Sequence, residues 1–140
     1  MIRHSVACCL MVLASLVISG CGTDGSVYQG VVRFANGEPV QSGSIEFRSL
    51  ESRQRYSSKI SRDGQFTLTD ADGWPGLPPD TYEVVIVQIV LTEDLAAEDH
   101  QHGQTVPRRF ADYYTSGLKV TKTEGQTEPL EIVLPDVVDR

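Results

Sequence analysis

The chain has 140 residues and a formal net charge of −7, with 12 Lys+Arg against 19 Asp+Glu. That balance argues against nucleic acid and against charge-driven binding to anionic lipid, and it suits a soluble acidic surface. No basic run exceeds the pair Arg108-Arg109, and no internal repeat or low-complexity segment is evident.

The N-terminus reads as an export signal. Met1-Ile2-Arg3-His4 is short and basic, Val6 to Ile18 is an apolar run broken only by Ser15, and Ile18-Ser19-Gly20-Cys21 follows. This layout is that of a bacterial lipobox. The run is too short to span a bilayer core, which needs ~20 apolar residues, and a simple secretory signal has no need of a cysteine just after the cleavage point. The expectation is cleavage after residue 20 and acylation of the Cys21 thiol, with the lipid holding the protein at the membrane. Each buried methylene contributes ~0.8 kcal/mol, so two or three chains would make release negligible. Cys8 and Cys9 leave with the signal, so the mature chain keeps no free thiol for a disulfide, a nucleophile or a metal.

Removing residues 1–20 from the 140 leaves 120. It removes Arg3 and none of the 19 acids, so the charge moves from −7 to −8. Residues 21–26 then form the lipidated cysteine and a flexible tether of at most ~17 Å beyond Cys21. Residues 27–135 form one β domain and 136–140 a tail. Gly22 after the cysteine favours an outer-membrane address. The localisation read from the sequence is cell membrane or outer membrane, facing periplasm or exterior.

Strand periodicity dominates the rest. Tyr28, Gly30, Val32 and Phe34 alternate with polar or smaller residues; so do Ile45 and Phe47, Phe66 and Leu68, and Leu130, Ile132 and Leu134. A period of two places one set inward. Tyr82 to Val90 is apolar at almost every position and predicts a central strand covered on both faces. Asn36-Gly37 and Asp63-Gly64 predict turns, the latter a hairpin with positive φ tolerated at both positions. Asp72 to Pro79 is a loop that no helix could traverse. Leu118 to Thr121 adds a shorter strand, and Gly125 a last turn. Seven short strands with frequent turns read as a β-sandwich. Leu91 to Val106 stands apart: Thr92 to Glu98 suits a short helix, and a connection this long is usually mobile or functional.

Tyr28-x-Gly30-x-Val32, Asn36-Gly37-Glu38-Pro39-Val40, Gly43-x-Ile45-x-Phe47, Asp63-Gly64-Gln65-Phe66-Thr67-Leu68 and Leu77-Pro78-Pro79-Asp80-Thr81-Tyr82-Glu83-Val84 together resemble carboxypeptidase regulatory-like domains of transthyretin-like fold. Pro107-Arg108-Arg109-Phe110 and Thr115-Ser116-Gly117-Leu118 are similar to the tail of small bacterial lipoproteins carrying that domain. The resemblance implies an all-β, seven-stranded, Greek-key (Ig-like) sandwich and an adhesive, carbohydrate-contacting or accessory role. The motifs themselves have structural reasons. Gly30 is expected at a close-packing point. The Tyr82 hydroxyl is expected to bond backbone at a corner. Asp80 stands where the family has glycine, and Asp tolerates left-handed φ.

Chemistry is sparse. Glu98-Asp99-His100-Gln101-His102 places two imidazoles on one side of an extended chain and could begin a zinc site, although no third ligand is set by spacing; a solvated polar loop is the plainer reading. Asp70-Ala71-Asp72-Gly73 resembles the start of a calcium loop, but its twelfth position is Thr81, not Glu, which favours an acidic turn. The hydroxyisourate hydrolases of transthyretin-like fold end in Tyr-Arg-Gly-Ser, whereas this chain ends Val137-Val138-Asp139-Arg140. There is no Gly-x-Ser-x-Gly elbow. Trp74, Tyr113 and Tyr114 could offer flat faces to a sugar or partner, though Trp74 as a cap on one end of the sandwich is the preferred reading.

The expectation is therefore a lipid-anchored, non-catalytic binding or scaffolding domain without a cofactor. Its partners would be the membrane, through the anchor, and an envelope protein or glycan. Two rivals stand beside it: a metal-binding module using His100 and His102, and a small hydrolase joining either histidine to Arg108 or Arg109.

Overall fold

The computed structural model describes residues 28–89 and 103–136. The described residues are mostly β, consistent with the all-β class: β1 Tyr28–Phe34, β2 Ser44–Ser49, β3 Arg55–Lys59, β4 Gln65–Asp70, β5 Asp80–Val87, β6 Leu118–Lys122 and β7 Leu130–Leu134. They form one mixed sheet in the order β6-β5-β2-β3-β4-β1-β7. All pairings are antiparallel except β1 with β7, which run parallel from Gly30↔Leu130 to Phe34↔Leu134. β4 is shared between two ladders. Its first residues pair with β1, and its last two, Thr69 and Asp70, pair with β3. The sheet curls, so strands far apart in the order meet: Lys122 Nζ on β6 lies 4.7 Å from the ring centroid of Tyr28 on β1.

Alternation chooses what the curl encloses. Val32, Phe34, Ile45, Phe47, Phe66, Leu68, Ile132 and Leu134 are all buried in one cluster, as their period of two predicts. Phe47, Phe66, Tyr56 and Tyr82 meet as tilted and edge-to-face pairs 5.8–6.0 Å apart, a favourable arrangement for ring quadrupoles. A Cβ on Gly30 would collide with the Phe66 ring and come within 2.6 Å of the Leu130 carbonyl oxygen. Close packing thus explains this glycine. Tyr82 is buried, and its hydroxyl donates to the Pro78 carbonyl at 2.6 Å. That bond ties the start of β5 to the proline loop, as expected.

Three turns share one geometry. In 34–38, 61–65 and 70–74 the first residue's N–H bonds the fifth residue's carbonyl, and the glycine's N–H bonds the first carbonyl. Gly37, Gly64 and Gly73 take positive φ. This is the three-residue hairpin loop with a bulged glycine. Only the glycine has positive φ at Asp63-Gly64, so the expectation for both positions is corrected to one. Asp80 likewise has no positive φ. It opens β5, and its carboxylate accepts from Ser49 Oγ and from the Thr81 N–H.

The two-faced strand is shorter than predicted. Val84, Val85 and Ile86 are buried in succession, but Val87 is 37 % and Ile89 78 % exposed. Pairing with β2 ends at Ser44↔Val87, so among the described residues no strand covers β5 beyond that point. The outer cover on β5 comes from a segment the hydrophobic pattern did not reveal, a 3-10 turn over Arg108–Ala111 and a single helical turn, α1, over Tyr113–Ser116. Phe110 is fully buried there, and Ser116 Oγ donates to the Val84 carbonyl at 2.5 Å. Asp112 caps α1 by accepting from the Tyr114 N–H, and Gly117 closes it in the left-handed region. The end of the long connection is also docked. Val106 is buried, and its N–H donates to Gln88 Oε1 at 2.8 Å.

Candidate functional site

The described residues present two open clefts that carry exposed aromatic rings. The first lies beside the proline loop, about 450 Å³ in volume, and involves Trp74, Pro75, Pro78, Pro79, Gln54 and Lys122. Trp74 is 72 % exposed, so it does not cap the domain, and the preferred sequence reading of it is corrected. The cause is local. Asp70 Oδ1 accepts from the N–H groups of Asp72 and Trp74 at 3.0 and 2.9 Å, which fixes the tight turn and leaves the indole at its tip. Leu77 is the loop residue that enters the core. The same bonds make Asp70 the side-chain cap of this turn.

The second cleft, about 480 Å³, lies on the outer face of β2, β3 and β5 and gathers Arg48, Arg53, Arg55, Glu83, Tyr113 and Tyr114. Register explains the gathering. Lys119, Glu83, Arg48 and Arg55 stand opposite one another on β6, β5, β2 and β3 in a single cross-strand row. Arg48 facing Arg55 would be repulsive alone. Each is given its own carboxylate: Arg48 Nη2 lies 2.6 Å from Glu83 Oε2, and Arg55 Nη1 lies 3.6 Å from Glu46 Oε1. Arg48 also stacks on Tyr113, with Cζ 3.8 Å from the ring centroid, and the Tyr113 hydroxyl donates to Glu46 Oε1 at 2.7 Å.

These contacts set the local electrostatics. The hydrogen bond from Arg48 holds the Glu83 carboxyl below its ordinary range, and reciprocally that bond raises Arg48. Burial, followed by the bond to Glu46, pushes the Tyr113 hydroxyl well above the usual tyrosine value. Arg48 and Tyr113 are thus a fixed, charge-satisfied floor. Tyr114, 96 % exposed, and Arg53 stand above it.

The two clefts separate the aromatics named from the sequence. Trp74 belongs to one, and Tyr113 with Tyr114 to the other. Arg108 and Arg109 are exposed, and the Arg109 guanidinium stacks at 4.5 Å on Phe110. Cys21, His100, His102 and the predicted helix at Thr92 to Glu98 lie outside the described residues. Among the described residues no group of three His, Cys, Asp or Glu side chains is placed to hold a metal, and no helix is long and apolar enough to cross a membrane. Sequence reading passed over the arginine row because its members come from four strands; only the register β6-β5-β2-β3 unites them. No protein-family model, curated protein or solved structure matches this chain.

Proposed function

We propose that the protein is an extracytoplasmic lipoprotein, anchored through acylated Cys21, whose β domain is a non-catalytic binding or scaffolding module. The domain organisation is that read from the sequence, with signal, short tether and domain in succession. The proposed fold is a transthyretin-like sandwich of the carboxypeptidase regulatory-like kind. Support for it lies in the strand order: β5-β2-β3-β4 has the Greek-key arrangement, in which a fourth strand returns beside the first. The switch of β4 between two ladders supports two packed layers.

One observation carries the binding role. Two large aromatic side chains, Trp74 and Tyr114, point into solvent from turns whose backbone N–H groups are held by Asp70 and Asp112. Rings fixed outward on rigid turns cost little entropy when a ligand covers them. The occupied Arg48, Glu83, Glu46 and Tyr113 groups favour presentation over acid–base chemistry, since their bonding partners are already supplied.

The anchoring half is tested by expressing the full chain and Cys21→Ser in a bacterial host and partitioning each between detergent and aqueous phases. The parent is expected in the detergent phase with the mass of a lipid-modified, processed chain. Cys21→Ser is expected unprocessed and without that added mass. A parent chain lacking lipid would refute the anchor.

A further inference from the structure

We propose that the Arg48–Arg53–Arg55–Tyr114 face binds an acidic saccharide, with its anionic group taken by the Arg53 and Arg55 guanidinium groups and a sugar ring laid on Tyr114. The inference rests on reading the domain as a binding module and names the ligand class of that module.

The first observation is a conflict of charge. A chain of net charge −7 places Lys119, Arg48 and Arg55 in one cross-strand row and adds Arg53 beside it, against Glu83 and Glu46. Folding needs only enough arginine to match the two carboxylates, and Arg48 and Arg55 do that. Arg53 is surplus. Its guanidinium makes no hydrogen bond or ion pair among the described residues, and acts on Glu83 only through space.

The second observation is backbone strain at that same residue. Arg53 has φ of 62° and is the only non-glycine with positive φ among the described residues. Every other left-handed position among them is held by glycine, which takes that conformation without steric cost. The β2–β3 loop is closed without the Arg53 side chain: the Ser49 N–H bonds the Gln54 carbonyl at 2.9 Å, and Ser49 Oγ accepts from the Ser52 N–H at 2.8 Å. A strained arginine whose only internal interaction is a through-space attraction to Glu83, in a loop held by other groups, is the pattern in which strain signals function.

The third observation is the ring. Tyr113 is covered by Arg48, but Tyr114 is 96 % exposed, and its backbone is held by Asp112 Oδ1 at 2.7 Å. A planar fork for a carboxylate or phosphate beside a free aromatic face matches a charged pyranose. The wider acidic surface disfavours nucleic acid and anionic bilayers, whose charge is dense and extended. A short saccharide brings one or a few charges to this basic face.

The test uses the full chain in a nonionic detergent and calorimetric titration with trigalacturonate, its methyl ester, glucose 6-phosphate, inorganic phosphate and glycerophosphoglycerol, the deacylated headgroup of phosphatidylglycerol. Either trigalacturonate or glucose 6-phosphate is expected to bind, identifying carboxylate or phosphate as the source of the charge. If it is the uronate, the methyl ester binds roughly tenfold or more weakly. Arg53→Gly is expected to lose roughly tenfold or more in affinity while its thermal midpoint stays at or above the parent's, because glycine removes the strain as well as the charge. Tyr114→Ala is expected to weaken binding without lowering the midpoint. A merely structural Arg53 would move stability and not affinity. Equal binding by the ester, by inorganic phosphate, or by Arg53→Gly would overturn the proposal. So would binding to the lipid headgroup alone. No binding to any probe would also overturn it, yet would leave the Cys21 partition result untouched; conversely, saccharide binding by a chain that carries no lipid would fault the anchor and spare this site.

Discussion

Gly30→Ala gives the sharpest test of the packing. Gly30 pairs with Phe66 on one side and Leu130 on the other, and its φ is not in the left-handed region, so alanine meets no backbone strain. The cost is purely one of space. The new methyl would strike the Phe66 ring and sit 2.6 Å from the Leu130 carbonyl oxygen. A ring can tilt, but a ladder carbonyl cannot retreat without parting β1 from β7. Overpacking of this kind costs about 2–3 kcal/mol, in the upper part of its usual range. Replacing a strand glycine returns about 0.5–1 kcal/mol of backbone entropy. The net loss is about 1–2.5 kcal/mol, or a fall of roughly 4–12 °C in thermal midpoint for a domain of this size. Urea unfolding of the parent, Gly30→Ala, Phe66→Leu and the double variant would measure it. Leucine at 66 clears the ring but not the carbonyl, so the double variant should be less destabilised than the sum of the singles by about 1 kcal/mol. If Gly30→Ala is as stable as the parent, or if the two changes simply add, the close-packing argument is wrong.

Tyr82→Phe removes the hydroxyl that holds the Pro78 carbonyl and is expected to cost about 1–1.5 kcal/mol in urea unfolding; Phe66→Tyr, which tests no such bond, would not reproduce that loss by the same route. Asp80 is held below the ordinary carboxylate range chiefly by the Ser49 hydrogen bond, which outweighs the opposing effect of burial, with the Thr81 and Glu51 backbone N–H groups adding to it. A depressed folded value means that its contribution is fully present above about pH 4 and is lost as pH falls through the folded value. The urea midpoint of Asp80→Asn should therefore lie below the parent's at pH 7 and converge with it in acid; a constant gap across pH would refute the linkage.

The buried half of each amphipathic strand was legible from one residue in two. Val32 and Phe34, Ile45 and Phe47, or Ile132 and Leu134 need no other signal, because a sheet face separates them from their neighbours. Tyr82 was legible through its proline loop, and the Asn-Gly and Asp-Gly turns through chain stereochemistry. Three things were not. Trp74 reads as a cap on one end of the sandwich, yet two backbone bonds to Asp70 turn it outward. Val87 and Ile89 continue the apolar run of β5, but burial depends on β2, which stops opposite Val87. The Arg48, Arg53 and Arg55 face depends on pairing between strands distant in sequence, and a linear reading sees only scattered basic residues in an acidic chain.

The parallel pair of β1 and β7 carries a kinetic consequence. From Gly30↔Leu130 to Phe34↔Leu134, each partner stands 100 positions further along. Closing so long a loop costs entropy before any contact rewards it, and non-local pairing of this sort slows folding. If the chain is exported as proposed, threading it N-terminus first through a translocon would offer β1 only β4 until the last strand arrived. During that interval the open edge of β1, with Val32 and Phe34 behind it, would be a template for another nascent copy. Export and folding would then be in competition, and the time taken to deliver residues 130–134 would set how much of the protein reached the envelope as monomer.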